Sequence, residues 1–182
     1  MLKHRKTIES LEPYRPGKPI SEVKRELGLT DIVKLASNEN PLGCSPKAVR
    51  AIIEWTKDIA LYPDGNCTEL RNALASRFSL SPSRFLFGAG TDQILEIIAQ
   101  TYINSGDNTI MGWPSFSRYE AVTRIMDGTA IKVTLTGDYR LDLKAFLDAI
   151  DDKTRIIWIC NPNNPTGTII TEQEQREFLK RV

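Results

Sequence analysis

Short apolar segments alternate with helical segments from about residue 84 to the end of the chain. The segments with strand character are 84–87, 109–111, 131–135 and the run that begins at Arg155, and helical spacing of apolar residues marks 94–103, 116–125, 141–150 and 171–182. Strands that are separated by helices pair as a largely parallel sheet, with right-handed crossovers and helices on both faces. The sequence therefore predicts an α/β fold, a three-layer sandwich around a mostly parallel sheet.

The first part of the chain has a different character. Prolines and glycines interrupt it early, and 21–27 is the one short stretch before residue 43 with the spacing of an amphipathic helix. We expect residues 1–43 to form an N-terminal arm and residues 44–182 to form the sheet domain. Within that domain, Pro46 marks one helix start, and Thr68 is expected to cap another helix that ends near Ser79.

Composition excludes several classes of function. A formal charge of +1 gives no electrostatic footprint for nucleic acid or for a membrane surface. No apolar run is long enough to cross a bilayer, so the expected compartment is the cytoplasm. Cys44, Cys67 and Cys160 are odd in number and far apart, which favours reduced thiols over a disulfide framework or a metal site. His4 is the single histidine and lies at the terminus, so a histidine base is not expected.

A glycine-rich turn follows the segment 84–87. In Gly88-Ala-Gly-Thr-Asp92 the glycines let the backbone approach an anion, and the next helix would supply free amides and a partial positive charge. It matches neither the dinucleotide fingerprint nor the Walker loop. The negative charge of Asp92 would repel a phosphate, and a role as helix cap is the simpler interpretation of that residue. The turn is thus either an anion site or an ordinary connection.

Two more polar turns follow strand-like segments. Residues 160–167 come after the apolar run 156–159, and Pro114-Ser-Phe116 comes after 109–111. In α/β sheets ligands bind at such strand ends, although either turn also serves simply to end a strand. Phe116 is either a flat surface for a planar ligand or part of the core. Cys160 is more readily explained as a small buried residue than as a nucleophile.

Five spaced motifs appear together in a fixed order: Asn-Glu-Asn-Pro at 38–41, Tyr-Pro-Asp-Gly at 62–65, Gly-x-Gly-Thr-Asp at 88–92, Pro-Ser-Phe at 114–116 and Asn-Pro-Asn-Asn-Pro-Thr-Gly at 161–167. This set resembles the pyridoxal-phosphate-dependent aminotransferases of fold type I. It is most similar to the histidinol-phosphate aminotransferase group, which shares Leu-Glu-Pro-Tyr-Arg-Pro-Gly-Lys-Pro at 11–19 and Lys-Leu-Ala-Ser-Asn-Glu-Asn-Pro-Leu-Gly at 34–43. The resemblance covers nearly the whole chain.

The resemblance implies a site for pyridoxal 5'-phosphate. Asn164 would hydrogen-bond the ring hydroxyl oxygen of the cofactor, and Phe116 would stack on its pyridine ring. Gly90, Thr91 and Asp92 would hold the phosphate at a helix N-terminus. That last role agrees with the physical interpretation of the glycine-rich turn.

The resemblance also implies a homodimer with a shared active site. Tyr62 would reach the phosphate of the neighbouring subunit's cofactor, and Tyr14 and Asn40 would line the substrate pocket. Taken without the resemblance, the segment around Asn40 is equally well explained as a solvated loop, and an ordinary surface turn is the better explanation of the segment around Tyr62.

The implied reaction is amino transfer between histidinol phosphate and 2-oxoglutarate, which gives imidazole-acetol phosphate and glutamate in histidine biosynthesis. Alternatives are an aromatic amino-acid aminotransferase, a threonine-phosphate decarboxylase and a scaffold that keeps the fold without catalysis. The family's Ser-x-x-Lys, its Asp and Tyr beside the cofactor ring and its carboxylate-binding Arg have no match in this sequence. The resemblance thus implies an N-terminal fragment in which 44–182 is part of the large cofactor domain, and the fragment is expected to be inactive.

Overall fold

The computed structural model describes residues 5–9, 11, 17–35 and 37–182. His4 and Tyr14 therefore lie outside the described residues. The chain divides into two compact units, one formed by Glu12–Arg84 and the other by Met1–Leu11 together with Phe85–Val182. The expected division into an arm of residues 1–43 and a sheet domain of residues 44–182 stays a prediction. None of the helices in the described ranges combines the length and the apolar character needed to span a bilayer.

Three helices organise the unit Glu12–Arg84: α1 (Ile20–Leu27), α2 (Pro46–Trp55) and α3 (Thr68–Phe78). All three confirm the helices expected from the sequence, and α2 begins with its proline at the first position. The expected cap of α3 was wrong, because Thr68 lies inside the helix and Cys67 is the N-cap without a side-chain hydrogen bond. Instead, the backbone N–H of Thr68 donates to Asp64 Oδ2 at 2.8 Å. Hydrogen bonds from the Thr68 side chain and backbone lower the pKa of Asp64.

The second unit contains a parallel sheet of three strands in the order β2-β1-β3. The strands are β1 (Asn108–Trp113), β2 (Thr129–Thr134) and β3 (Thr154–Trp158), as the sequence predicts to within a few residues. The strand expected at 84–87 is not part of this sheet. Exposure still alternates there, with Phe85 and Phe87 half-buried and Leu86 57% exposed. A strand is defined by a paired neighbour, and within the described sheet β1, β2 and β3 pair only with one another.

Helices cover both faces of this sheet: α4 (Gly90–Tyr102) and α5 (Arg118–Ile125) on one face, α6 (Leu143–Asp148) and α7 (Glu172–Leu179) on the other. Successive side chains of a strand point to opposite faces. Accordingly, Ile110 of β1 packs with Phe146 and Phe178, whereas Met111 packs with residues of α4 and α5. This arrangement confirms the predicted three-layer α/β sandwich.

A capping box starts α7. The backbone N–H of Thr171 donates to Glu174 Oε2 at 2.6 Å, and the Thr171 hydroxyl accepts the backbone N–H of Glu174. Arg140 Nη2 adds a second cross-link, because it donates to both carboxylate oxygens of Glu174 at 2.9 and 2.7 Å. The hydrogen bond from the Thr171 backbone, followed by those from its hydroxyl and from Arg140, lowers the pKa of Glu174 to about 2.

Stability is expected to depend on pH through this carboxylate. A carboxyl whose pKa is depressed by folding stabilises the folded state above its ordinary pKa of 4.5, and that contribution is lost as the pH falls toward about 2. Urea unfolding between pH 7 and pH 2 should therefore show a shallower acid loss for Glu174→Gln than for the unchanged protein. Glu177→Gln removes the same charge from the same helix without touching the cap and is the matched control. Equal slopes for the unchanged protein and Glu174→Gln would contradict the assignment.

Candidate functional site

The carboxyl ends of β1 and β3 lie side by side, because the two strands are parallel neighbours. β1 leads into the turn 114–116, and β3 leads into the loop 160–167. A hydrogen bond joins the two segments, since Ser115 Oγ donates to Asn163 Oδ1 at 2.7 Å. Phe116 and Asn164, which the sequence singles out, each follow one partner of this bond directly. The structure therefore brings these two predicted site residues to the same edge of the sheet.

Asn163 is the polar centre of this edge, and its side chain is 3% exposed. Besides accepting from Ser115, it donates through Nδ2 to the carbonyl of Pro114 at 3.2 Å and to Thr166 Oγ1 at 2.8 Å. Its backbone carbonyl also accepts the N–H of Gly167 at 2.7 Å. Both ends of the side-chain amide are thus used within the protein, which makes Asn163 structural. Sequence reasoning missed this role, since no local signal separates Asn163 from Asn164.

Asn164 has the opposite character. It is exposed, and among the described residues its side-chain amide makes no hydrogen bond. Only its backbone is held, because the N–H donates to Cys160 Sγ at 3.3 Å. Cys160 is half-buried, and its thiol in turn donates to the carbonyl of Pro162 at 3.5 Å. The backbone of Asn164 is therefore positioned while its amide remains available to a ligand.

Three aromatic rings lie beneath this edge. Tyr119 stacks on Trp158 at 5.2 Å with an interplanar angle of 8°, and Phe116 meets Tyr119 edge to face at 5.6 Å. Burial raises the pKa of Tyr119, and a hydrogen bond with the Cys160 thiol adds to the effect. Phe116 packs against the apolar cluster on the α4 and α5 face and is half-buried. It thus contributes to the core and still presents surface, so its stacking role stays a prediction.

α4 begins at the glycine-rich turn. Gly90 has φ +77°, a conformation that glycine adopts without strain, and its N–H donates to the carbonyl of Gly88 at 2.8 Å. Ala89 is the N-cap and provides no side-chain hydrogen bond, so none of the described side chains caps this helix from that position. The amides of Thr91 and Asp92 lie in the first turn, where a helix has no internal acceptors for its N–H groups. This end of α4 has the donors of an anion site.

Asp92 is not the cap of α4, contrary to one interpretation of the sequence. It lies in the first turn and pairs with Arg118, whose Nε is 3.2 Å from Asp92 Oδ2. Arg118 Nη2 also donates to Glu96 Oε1 at 2.7 Å. Because Arg118 begins α5 two residues after Phe116, these ion pairs join the start of α4 to the segment that carries the aromatic ring. Nothing in the sequence indicated Arg118, since its two partners are more than twenty residues away.

The remaining predicted site residues belong to the unit Glu12–Arg84. Asn40 closes its own turn, with Oδ1 accepting the N–H of Leu42 at 3.0 Å and Nδ2 donating to the carbonyl of Gly43 at 3.2 Å. Tyr62 is fully exposed, at 102%. Tyr14 lies outside the described residues. The roles of these three residues stay predictions.

Comparison with known proteins identifies the family. The family model "Aminotransferase class I and II" matches residues 30–182. The chain belongs to the class I and II aminotransferases. Membership confirms the resemblance that the ordered motifs predict.

Individual relatives of this aminotransferase chain agree with that assignment. It is 54% identical over 178 residues to a histidinol-phosphate aminotransferase of Caldicellulosiruptor saccharolyticus, covering 98% of this chain and 49% of the relative. It is 52% identical over 180 residues to a histidinol-phosphate aminotransferase of Moorella thermoacetica, covering 99% of this chain and 46% of that relative. The chain thus spans about half the length of the curated relatives it matches.

Solved structures confirm the fold of this aminotransferase chain. The histidinol-phosphate aminotransferase of Sinorhizobium meliloti, solved in complex with pyridoxal-5'-phosphate, superposes with a TM-score of 0.86 at 22% identity. That match covers all of this chain and 48% of the other. The histidinol-phosphate aminotransferase of Clostridium acetobutylicum gives a TM-score of 0.68 at 26% identity over 80% of this chain and 42% of the other.

Proposed function

We propose that the protein is a pyridoxal-phosphate-dependent aminotransferase that interconverts histidinol phosphate and imidazole-acetol phosphate, with glutamate and 2-oxoglutarate as the amino partners. One observation carries the proposal. At one end of one sheet, in a member of this family, lie a helix N-terminus, a half-buried aromatic ring and a side-chain amide that makes no hydrogen bond among the described residues. At that helix N-terminus the Gln93 side chain accepts the N–H of Ala89, and the N-cap residue itself provides no side-chain bond. The relatives named histidinol-phosphate aminotransferase support the choice of substrate.

The residues at this edge fit the cofactor. Its phosphate needs several N–H donors and a backbone without a side chain in the way, and the start of α4 at Gly90 offers both. Its planar ring needs an apolar surface, which Phe116 offers. Its ring oxygen needs a hydrogen-bond donor, and the side-chain amide of Asn164 makes no hydrogen bond among the described residues. When bound, the cofactor supplies the electron sink that stabilises a carbanion at the substrate α-carbon.

In this proposal the residues of this chain bind the cofactor and orient its ring. The amides of Thr91 and Asp92 fix the phosphate end, and Asn164 fixes the opposite side of the ring. Cys160 holds the backbone of Asn164, which fixes where its side chain starts. Phe116 excludes water from the ring face. A cofactor held in this way loses its translational and rotational freedom when it binds, so this loss does not add to the barrier of the reaction step.

Residues of the other unit complete the proposal. Tyr62 is fully exposed and thus accessible to the cofactor phosphate of a second subunit in a homodimer. Tyr14 and Asn40 are proposed to line the substrate pocket, for which the Asn40 side chain would exchange its hydrogen bonds within its own turn for bonds to substrate. A cytoplasmic location belongs to the same proposal.

Amino transfer from histidinol phosphate to 2-oxoglutarate is the expected activity. The measurement is glutamate formation by the protein as its gene encodes it, with pyridoxal phosphate added and histidinol phosphate, phenylalanine or threonine phosphate supplied separately. We expect the highest kcat/KM with histidinol phosphate. The same assay without pyridoxal phosphate, on cofactor-depleted protein, is the control.

Other outcomes of this assay point to the alternatives. Preference for phenylalanine would replace the proposal with an aromatic aminotransferase, and carbon dioxide released from threonine phosphate would replace it with a decarboxylase. Cofactor binding without turnover of any of the three would favour a scaffold.

A further inference from the structure

Arg118 lies between two carboxylates of α4. Its Nε is 3.2 Å from Asp92 Oδ2, and its Nη2 is 2.7 Å from Glu96 Oε1. Asp92 and Glu96 are four residues apart and therefore share one side of the helix. The side chain of Arg118 is 22% exposed, against 56% and 45% for its two partners, so the cation is the most buried of the three groups.

These carboxylates oppose the anion site proposed at the start of α4. A helix N-terminus carries a partial positive charge equivalent to about half a unit, which attracts a phosphate. Two carboxylates in the first two turns exceed that charge and repel a phosphate dianion at the same place. The difficulty that Asp92 raises in the sequence is therefore larger in the structure, because Glu96 adds to it. Arg118 is the cation that offsets both carboxylates.

Arg118 makes both of its ion pairs within the described residues with carboxylates of α4. Its Nη2 donates to Glu96, whereas its Nε is buried beside Asp92 in an ionic contact without hydrogen-bond geometry. Asp92 is thus paired by charge and keeps its backbone amide for a ligand. The charge of the guanidinium makes the electrostatic potential at the nearby amides of Thr91 and Asp92 more positive.

We propose that Arg118 is a positioning residue that keeps the start of α4 receptive to the cofactor phosphate by neutralising Asp92 and Glu96. The inference rests on the proposed function, since it concerns the phosphate of pyridoxal phosphate. It predicts an effect on phosphorylated ligands only. A purely structural role for Arg118 would change the affinity for pyridoxal, which has the same ring and no phosphate, by the same factor.

The test compares dissociation constants for pyridoxal phosphate and for pyridoxal, measured by tryptophan fluorescence on the protein as its gene encodes it. Arg118→Met is expected to weaken pyridoxal phosphate binding about tenfold and pyridoxal binding less than about twofold, as Coulomb repulsion over a partly screened distance implies. Arg118→Lys keeps the charge and should retain most of the affinity. Arg124→Met removes the same charge from the same helix about 9 Å further along its axis and is the matched control.

A second variant tests whether Arg118→Met weakens cofactor binding through the lost charge or through lost packing. In Arg118→Met/Glu96→Gln one of the two uncompensated carboxylates is gone, so affinity for pyridoxal phosphate should return to within about threefold of the unchanged protein. Equal weakening of both ligands by Arg118→Met, no weakening, or no recovery in the double variant would each overturn the inference. If the unchanged protein binds no pyridoxal phosphate, the proposed function fails as well, and that outcome is distinct from the other three.

Discussion

Replacing Asn163 with alanine is expected to lower the free energy of unfolding by about 3 kcal/mol, because several polar partners lose their hydrogen bonds in a buried place. The side chain is 3% exposed and bonds Ser115, the Pro114 carbonyl and Thr166 at once. Affinity for pyridoxal phosphate should also fall, since the two segments that carry Phe116 and Asn164 are no longer tied together. Urea unfolding and a fluorescence titration with the cofactor measure the two effects.

Asn164→Ala is the matched control for that experiment, since it removes the same side chain one residue later. Asn164 is exposed and its amide is unbonded among the described residues, so the free energy of unfolding should change by less than about 0.5 kcal/mol. Cofactor affinity should still fall about tenfold, as expected for the loss of one hydrogen bond to the ligand. A large loss of stability in Asn164→Ala, or none in Asn163→Ala, would reverse the two assigned roles.

Secondary-structure elements were predictable where residues close in sequence determine them. Apolar spacing and turn residues predicted the three strands of the sheet and the seven α-helices of the described residues, among them the helix in 171–182 that is observed as α7. The segment 84–87 shows the limit of this reasoning. Its apolar alternation is real, but membership of a sheet depends on a neighbour that local sequence does not specify. The cap of α3 was missed although its cause is local, because Asp64, four residues earlier, accepts the Thr68 N–H in place of a capping side chain at the helix start.

In the candidate site, too, local motifs indicated some residues and missed those whose role depends on tertiary packing. Ordered motifs indicated Gly90, Phe116 and Asn164. The structure brings the segments of Phe116 and Asn164 to one sheet edge, and Arg118 joins the start of α4 to the segment of Phe116. They did not indicate Asn163, whose burial follows from the parallel pairing of β1 with β3 and from the position of Ser115. They did not indicate Arg118 either, because its ion pairs depend on the packing of α4 against α5. Sequence patterns thus find groups that face a ligand more readily than groups that hold or neutralise them.

The largest loss of stability is expected for Phe146→Ala, about 3–5 kcal/mol. Phe146 is 0% exposed and lies between α6 and the sheet, packed with Ile110 and edge to face with Phe178 at 6.5 Å and 82°. Space is already tight there, since a Cβ added to Gly112 would lie 2.5 Å from a methyl of Leu141. Removing the ring therefore leaves a cavity that neighbouring backbone has little freedom to fill. Urea unfolding measures the loss, and Phe146→Leu, which keeps a sizeable apolar side chain, should lose less than Phe146→Ala.

Phe146 is on the sheet face opposite α4 and α5, so its loss should not alter the candidate site. A ligand that binds only the folded state adds about 2.7 kcal/mol when present at one hundred times its dissociation constant. Pyridoxal phosphate should therefore stabilise Phe146→Ala and the unchanged protein by equal amounts, whereas it should stabilise Asn164→Ala less at the same concentration. Leu179→Ala, at a side chain of α7 that is 62% exposed, should change stability by less than about 0.5 kcal/mol. A smaller gain from the cofactor in Phe146→Ala would mean that the two faces of the sheet are coupled, because the variant would then have changed the site as well as the core.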